Sequence, residues 1–257
     1  MKETVGPLFG TESGRAEISI GAGGDRTVEV DRLAESVAIE ILEAEAGRGV
    51  RFSLLSEEIG RRNFGAEFPL VLLDPIDGSL NAKQGIPVYA VMASLLDGPA
   101  VGDVRAGYVV NLVSGETWTA IRGAGAWRDG VALHPLRAVH PGRIDLLGLE
   151  SSTRSLDVAR NLIRNATKIR ILGSMAISIA HAASGGFDVF CSPVDARVFD
   201  MTASALILKE AGGVITDMGG HHLEGLSVGF ESRSTLLAAS DPAVHALALG
   251  YLAAASG

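Results

Sequence analysis

The residues with the clearest capacity for chemistry lie in one short stretch, Val71–Ser79, with the sequence VLLDPIDGS. Its continuous apolar start predicts a buried strand, and Pro75 and Gly78 then turn the backbone. The turn would bring together oxygen atoms of four residues: Asp74, Ile76 through its carbonyl, Asp77 and Ser79. An all-oxygen cluster at a strand end suits a hard cation such as Mg²⁺. The alternative is an ordinary surface turn, because Asp-Pro and Asp-Gly are common turn dipeptides.

Two further acidic elements favour the metal site. Glu57 and Glu58 follow a predicted strand over Phe52–Ser56, and Asp200 stands where an apolar run meets the start of a predicted helix. Taken singly, these are a solvated pair of glutamates and a helix N-cap. Carboxylates gathered at the ends of buried strands would repel one another, and cations remove that cost. We therefore predict one metal site built from four acids: Glu57, Asp74, Asp77 and Asp200.

Two or more Mg²⁺ ions at such a site suit the transfer of a phosphoryl group to water. They would lower the pKa of a bound water, hold the phosphate and stabilise the leaving oxygen. We assign Glu57 and Ser79 to positioning the attacking water, and Asp31 to polarising the Ser79 hydroxyl. For Asp31 the alternative is an ordinary acid in the first turn of a helix. A covalent nucleophile is not expected, because there is no G-x-S-x-G motif and Cys191 is the only cysteine.

Composition excludes several classes of protein. With 257 residues, 47% of them apolar and 20% charged, the chain is typical of a globular protein with one large or two modest domains. A net charge of −8 without a Lys/Arg cluster argues against nucleic-acid binding. No apolar run reaches the ~18 residues that span a bilayer, and residues 1–14 do not resemble a signal peptide. The single cysteine favours an intracellular setting, so we expect a cytoplasmic protein.

The elements that position the acids divide the chain into two parts. An amphipathic helix over 30–46 and a largely antiparallel sheet predict an α+β metal-binding domain over 1–135. Alternating helices and strands predict an α/β domain over 136–257 that completes the site. The helices of that domain are predicted at 156–165, 174–183, 200–211 and 242–253, and a strand at 169–172.

Three motifs in this order resemble the inositol monophosphatase superfamily of Mg²⁺-dependent, lithium-sensitive phosphatases. They are S-E-E at 56–58, D-P-I-D-G-S at 74–79, and F-D at 199–200 with E-A-G-G at 210–213. The segments 21–35, 85–89 and 169–174 are similar to its archaeal branch, whose members often hydrolyse both inositol monophosphate and fructose 1,6-bisphosphate. The resemblance extends from Gly21 to the C-terminus.

The resemblance implies a layered αβαβα sandwich of the sugar phosphatase type, assembled as a homodimer. It implies two or three Mg²⁺ ions held by Glu57, Asp74, the Ile76 carbonyl, Asp77 and Asp200. The implied substrate contacts are Gly78, Ser79, Gly173, Ser174 and Arg197. For Arg197, an exposed salt bridge is the alternative. The segment Gly21–Thr27 would be a mobile loop that helps to bring in a further metal ion.

The sequence departs from the family pattern at a few positions. Phe199 replaces the Trp of many members, and Pro193 stands where animal inositol monophosphatases have an acidic residue. Only about twenty residues precede the predicted mobile loop, where the family usually has a long helix. The Pro193 difference argues against strict specificity for inositol phosphates.

We therefore predict a cytoplasmic, Mg²⁺-dependent phosphomonoesterase that acts on inositol 1-phosphate, fructose 1,6-bisphosphate or both through a metal-activated water. Its partner would be a small phosphorylated sugar or inositol, with no nucleic acid and no membrane. One alternative is a phosphatase for 3′-phosphoadenosine 5′-phosphate. The other is a catalytically silent relative that only binds a metabolite, because a fold does not guarantee a function.

Overall fold

The computed structural model describes residues 2–22, 26–136, 140, 142–150, 152 and 155–254. A short antiparallel hairpin of β1 (Glu17–Ile20) and β2 (Arg26–Val28) precedes the main body of the chain. The segment predicted to be a mobile loop lies between these strands, and its residues 23–25 fall outside the described part.

The first large sheet has eight strands and is largely antiparallel, as predicted. In sheet order the strands are β10-β9-β8-β7-β6-β5-β3-β4, and only β3 and β5 run parallel. The strands are β3 (Ser53–Ser56), β4 (Gly60–Asn63), β5 (Leu70–Asp77), β6 (Ala90–Leu96), β7 (Val104–Asn111), β8 (Thr117–Ile121), β9 (Gly125–Arg128) and β10 (Val131–Ala132).

The second sheet has five strands in the order β12-β11-β13-β15-β14. In it β11 runs parallel to β12 and β13, and β15 runs antiparallel to β13 and β14. The strands are β11 (Ile144–Leu149), β12 (Ala166–Arg170), β13 (Val189–Arg197), β14 (Val214–Thr216) and β15 (Arg233–Ala239).

Seven α-helices are described, and with the sheets they form alternating layers. They are α1 (Lys2–Val5), α2 (Glu29–Gly47), α3 (Ser79–Gln84), α4 (Arg160–Arg164), α5 (Met175–Ala183), α6 (Thr202–Glu210) and α7 (Pro242–Ala253). One core contains α1 and α2 with the first sheet, a second contains α5 and α6 between the two sheets, and a third contains α4 and α7 with the second sheet. This is the predicted αβαβα sandwich.

The central layer explains why the chain uses so many small residues. All of α5 except His181 is buried, as expected of a helix that is apolar on every side. Helix α6 approaches β7 so closely that a Cβ on Gly107 would lie 2.7 Å from the carbonyl oxygen of Ala203. Only glycine fits there. One continuous core therefore joins the two sheets, and a domain division at 135/136 stays a prediction.

Three predicted elements of the second half differ in length from the structure. The helix predicted over 156–165 is α-helical only over Arg160–Arg164. The preceding residues form successive turns in which each N–H bonds the carbonyl three residues earlier. The strand predicted over 169–172 is found at Ala166–Arg170. The helix predicted from 200 begins at Thr202, after a 3₁₀ turn over Val198–Asp200.

In the described part of the chain, every helix is too short or too polar to cross a membrane.

Candidate active site

Two parallel strands deliver three of the predicted acids to one place. In the register of β3 and β5, Ser56 lies opposite Leu73. Glu57 is the next residue after β3, and its backbone N–H donates to the Leu73 carbonyl at 3.3 Å. Because parallel strands end at the same edge of a sheet, Glu57 and Asp74 emerge side by side.

Strand β5 continues past Asp74 to Asp77 with an irregularity in its pairing, and the chain turns at Gly78. The β5–β6 register shifts between Asp74 and Asp77, where Pro75 has no N–H to offer to the ladder. The Ile76 N–H donates to Asp74 Oδ1 at 2.9 Å. Gly78 adopts φ +88°, which non-glycine residues rarely reach, and Ser79 begins α3. Asp74 and Asp77 are only 2% and 7% exposed, so the alternative of an ordinary surface turn is wrong.

Asp77 joins the first sheet to the second half of the chain. Its carboxylate accepts hydrogen bonds from the Ser174 hydroxyl, from the Met175 N–H at 3.2 Å and from the Ala176 N–H at 2.9 Å. These donors form the N-terminus of α5, whose positive end favours a carboxylate. The Ser174 hydroxyl also accepts from the Ile177 N–H at 3.3 Å. The Ser174 side chain is thus buried between two structural partners rather than directed at a substrate.

Two glycines predicted to bind substrate interlock at the same junction. A Cβ on Gly78 would lie 3.0 Å from the Gly173 carbonyl oxygen, and a Cβ on Gly173 would lie 2.9 Å from Asn81 Nδ2. Asn81 Nδ2 donates to the carbonyls of Val88 at 2.8 Å and Leu172 at 2.6 Å. The sequence analysis did not identify Asn81, because nothing in its local pattern shows that its partner lies in the other half of the chain.

Asp200 reaches the cluster from the second sheet. It ends the 3₁₀ turn that follows β13, and α6 begins after it with no side-chain cap at its N-terminus. The alternative role of N-cap for Asp200 is therefore wrong. Its charge raises the pKa of both Asp74 and Asp77.

The shifted pKa values show how close the four acids are. Burial, followed by the charges of Glu57, Asp77 and Asp200, raises the pKa of Asp74 well above its usual value. Burial, followed by the charge of Asp200, raises the pKa of Asp77 to about 7, although its hydrogen bonds act in the opposite direction. Like charges at short range cause such shifts. The charges of Glu57, Asp77 and Asp200 thus act on Asp74, and a single metal site built from the four acids stays a prediction.

Arg197 lies inside this region. Its Nη2 atom is 2.7 Å from Glu57 Oε1, and the two side chains are only 15% and 13% exposed. Two alternatives from the sequence are therefore wrong: Glu57 is not a solvated glutamate, and the salt bridge of Arg197 is not exposed. The ion pair neutralises one end of the acid cluster.

Asp31 occupies the position of its alternative role, an acid in the first turn of a helix. It lies in the first turn of α2, where its Oδ2 accepts from the Val28 N–H at 3.3 Å. It is 4% exposed, and in the described structure its Oδ1 has no hydrogen-bond partner. Burial chiefly raises its pKa to about 6. Asp31 and Ser79 line the same cavity without a hydrogen bond between them in the part of the chain described, so the relay from Asp31 to Ser79 stays a prediction.

The cavity has a volume of about 240 Å³. It is lined by Asp31, Glu57, Glu58, Asp74, Pro75, Ile76, Ser79, Lys83 and Arg197. Of the predicted substrate contacts, Ser79 and Arg197 line the cavity, and Gly78, Gly173 and Ser174 are not among its lining residues. Lys83 is a cationic lining residue that the sequence analysis did not single out.

The donor set fits Mg²⁺. The predicted ligands are carboxylate and carbonyl oxygens, and three of them, Glu57, Asp74 and Ile76, line the cavity. Among the described residues, no three Asp, Glu, His or Cys side chains already converge on one point. Mg²⁺ does not require such a cage, since it is usually held by one or two carboxylates, waters and substrate phosphates. The site therefore suits an ion that completes its coordination with water and substrate.

Comparison with known proteins agrees with this arrangement. The model of the inositol monophosphatase family matches residues 7–255. A fructose-1,6-bisphosphatase/inositol-1-monophosphatase of Methanothermobacter thermautotrophicus is 33% identical over 256 residues, which cover 95% of this chain and 90% of the relative. A bifunctional NADP phosphatase/NAD kinase of Methanococcus maripaludis is 29% identical, with 87% of this chain matching 42% of that longer protein.

The fold is shared with solved structures. A Pyrococcus horikoshii protein described as similar to inositol-1 monophosphatase superposes with a TM-score of 0.80 at 24% identity, covering 97% of this chain and 92% of that one.

Proposed function

Because this chain belongs to the inositol monophosphatase family, we propose that it is a Mg²⁺-dependent phosphatase for inositol 1-phosphate, fructose 1,6-bisphosphate or both. That it is a phosphatase of phosphate monoesters follows from the family and from the names of its relatives. Members of the family depend on metal ions, generally Mg²⁺. The metal, the substrate and the roles of individual residues in this chain are the proposal.

The observation that carries the proposal is the mutual repulsion of Asp74, Asp77 and Asp200. Asp74 and Asp77 lie on the first sheet and are 2% and 7% exposed, and Asp200 follows a strand of the second sheet. Burial raises the pKa of Asp74 and Asp77 most; the charges of Asp77 and Asp200 add to the rise for Asp74, and the charge of Asp200 adds to it for Asp77. A buried cluster of like charges is costly unless a cation or protons compensate it. A divalent cation would turn that cost into a phosphate-binding site.

Five groups would hold two or three Mg²⁺ ions: the carboxylates of Glu57, Asp74, Asp77 and Asp200 and the carbonyl of Ile76. A carboxylate has about four lone-pair positions, and Asp77 uses three of them for its bonds to α5. Asp77 therefore has room for one more contact. Bound Mg²⁺ would supply positive charge for the phosphate and its leaving oxygen and would make water more acidic.

The side chains around the cavity would position the reactants. Glu57 and Ser79 would orient the attacking water, and Asp31 would hold the Ser79 hydroxyl. Gly78 and Ser79 would contact the phosphate through the turn after β5, and the backbone at Gly173 and Ser174 would approach the sugar. Arg197 would contact a second phosphate only if it leaves Glu57, its partner in the structure.

The substrate assignment follows the relatives. Archaeal proteins named fructose-1,6-bisphosphatase/inositol-1-monophosphatase are 33% and 31% identical to this chain. The match to a bifunctional NADP phosphatase/NAD kinase favours a second candidate, a nucleotide phosphatase of NADP. The phosphatase for 3′-phosphoadenosine 5′-phosphate and the catalytically silent binder remain alternatives from the sequence. Homodimer assembly, inhibition by Li⁺ and a cytoplasmic location also remain predictions.

The test is phosphate release from a panel of four esters, with Mg²⁺ titrated from zero. The panel is inositol 1-phosphate, fructose 1,6-bisphosphate, NADP and 3′-phosphoadenosine 5′-phosphate. We expect Mg²⁺-dependent turnover with the highest kcat/KM for the first two. If NADP or 3′-phosphoadenosine 5′-phosphate has the highest kcat/KM, that nucleotide becomes the assigned substrate. No release from any ester, together with measurable ligand binding, would establish the silent binder.

A further inference from the structure

A second buried carboxylate lies under the acid cavity, on the helix that carries Asp31. Glu35 follows Asp31 by four residues on α2, so both lie on the same face of the helix. Glu35 is 3% exposed, and in the described structure no cation pairs with it. Burying a carboxylate without a counter-charge is costly, and here burial raises the Glu35 pKa. The hydrogen bonds that Glu35 accepts must offset that cost.

Glu35 binds both ends of the loop that carries Glu57. Ser56 pairs with Gly60 in the β3–β4 hairpin, so residues 57–59 form its three-residue loop. Glu35 Oε1 accepts from the Ser56 hydroxyl before the loop and from the Ile59 N–H at its end, the latter at 3.1 Å. A loop held at both ends has few conformations left, so the direction in which Glu57 leaves the backbone is constrained.

The same loop is in contact with the N-terminal hairpin. The Ala22 N–H donates to the Glu58 carbonyl at 2.8 Å. A Cβ on Gly60 would lie 3.3 Å from the Ala22 Cβ, so the two segments pack closely. In the loop held by Glu35, Glu57 and Glu58 line the cavity, and the Glu58 backbone also binds Ala22.

We infer that Glu35 is a positioning residue: it holds the Glu57–Ile59 loop so that the Glu57 carboxylate points into the cavity and can bind Mg²⁺. The inference rests on the proposed function in one respect, the role of Glu57 as a metal ligand. Glu35 itself touches neither the substrate nor the metal. Replacing Glu35 should therefore weaken metal binding and leave the contacts with the substrate unchanged.

The test measures Mg²⁺ binding to the substrate-free protein by calorimetry, and hydrogen exchange at the Ile59 amide. We expect Glu35→Ala to weaken Mg²⁺ binding by about tenfold and to speed exchange at Ile59. The Mg²⁺ concentration for half-maximal turnover should rise by the same factor, with KM for the ester changed by less than about twofold. Glu35→Gln keeps an acceptor oxygen for the Ile59 N–H and should restore most of the affinity.

The matched control is Asp188→Ala. Asp188 also binds two backbone amides, those of Asp145 and Leu146, each at 2.8 Å, but it does so in the second sheet. We expect this control to lower the unfolding temperature and leave Mg²⁺ affinity unchanged. Wild-type Mg²⁺ affinity in Glu35→Ala, with only a lower unfolding temperature, would overturn the inference.

Two further results keep the test decisive. If Glu35→Ala does not fold, Ser56→Ala removes a single one of the hydrogen bonds that Glu35 accepts and should weaken Mg²⁺ binding by about threefold; unchanged affinity would overturn the inference. Because binding is measured without turnover, a wild-type protein that binds Mg²⁺ and hydrolyses no ester would refute the proposed function and not the role of Glu35.

Discussion

Asp77 in the acid cluster and Asp217 in the turn after β14 are bound in the same manner. Each carboxylate accepts three hydrogen bonds. Asp77 accepts from the Ser174 hydroxyl and from two amides of α5. Asp217 accepts from the N–H groups of Gly219 and His221, both at 2.8 Å, and its Oδ2 is 2.9 Å from His221 Nδ1.

The two pKa values nevertheless move in opposite directions. Burial raises the pKa of Asp77 to about 7, and the charge of Asp200 adds to the rise. For Asp217 burial is also the largest single effect and acts in the same direction, but the hydrogen bonds from His221 and Gly219 and the charge of His221 together outweigh it, so that its pKa falls below the usual value. The difference lies in the depth of burial and the sign of the neighbouring charge.

The comparison shows that a carboxylate can accept three hydrogen bonds and still lack compensation for its negative charge. The ionised carboxylate of Asp217 is stabilised by its hydrogen bonds to a histidine and two amides. Asp77 has the same number of donors and still carries a charge that its surroundings oppose. The acid cluster is therefore where we propose that a cation binds, and for the Asp217 turn we expect a structural role.

The largest expected effect comes from removing the charge beside Asp77. Asp200→Asn is nearly isosteric, and we expect kcat to fall by about 10²-fold or more, because one electrostatic element of catalysis is worth several kcal/mol. The metal-free variant should also be more stable than the wild type, because one repelling charge is gone. Kinetics at saturating Mg²⁺ and urea unfolding in EDTA measure the two effects. Wild-type turnover would refute the role of Asp200 as a ligand.

Removing the metal should act on the cluster and not on the turn. At a Mg²⁺ concentration about 100 times Kd, we expect the ion to stabilise the wild type by about 2.7 kcal/mol. Urea unfolding with Mg²⁺ and with EDTA gives this difference. Asp217→Asn should keep it in full, whereas Asp200→Asn should lose most of it. An equal Mg²⁺ effect in the wild type and Asp200→Asn would contradict the assignment.

The pH dependence of stability should have opposite signs at the two sites. Between pH 3.8 and about 7, folded Asp77 binds a proton that the unfolded chain has released. The stability of the metal-free protein therefore falls as pH rises through this window, by up to about 1.4 kcal/mol per pH unit for one proton. Asp217, with its lowered pKa, contributes stability above its usual value of 3.8 that is lost as pH falls.

Urea unfolding in EDTA at several pH values checks the sign. In the wild type the free energy of unfolding should fall between pH 5 and pH 7. In Asp77→Asn the slope of this fall should be smaller by the contribution of roughly one proton. An identical slope in the variant would show that Asp77 is already ionised in the folded, metal-free protein.

The smallest effect is expected at the turn itself. Asp217→Asn replaces one acceptor oxygen by a donor and should lower the free energy of unfolding by about 1 kcal/mol. Its kcat and its Mg²⁺ requirement should equal those of the wild type. A loss of activity at full folding would mean that the turn takes part in the site, against the comparison drawn here.

The sequence by itself determined the local chemistry of the site. A strand-like apolar run, a proline without an N–H and a glycine at φ +88° produce the turn at Asp74–Ser79 from short-range forces alone. Periodicity predicted an antiparallel first half and an α/β second half, and the layered αβαβα fold was implied by the family resemblance that the motifs carry. The acids at the strand ends were identified for the same reason, since a strand end and its neighbouring carboxylate are adjacent in the chain.

Only the tertiary structure decided what each acid contacts. Asp77 and the Ser174 hydroxyl are 97 residues apart in the chain, and Asn81 and the Leu172 carbonyl are 91 apart. The ion pair of Glu57 with Arg197 and the hold of Glu35 on Ser56 likewise depend on how separate elements pack. A pattern in the sequence reports the backbone geometry near a residue. Burial and the charges of distant neighbours set its pKa, and these arise only when the sheets and helices are packed together.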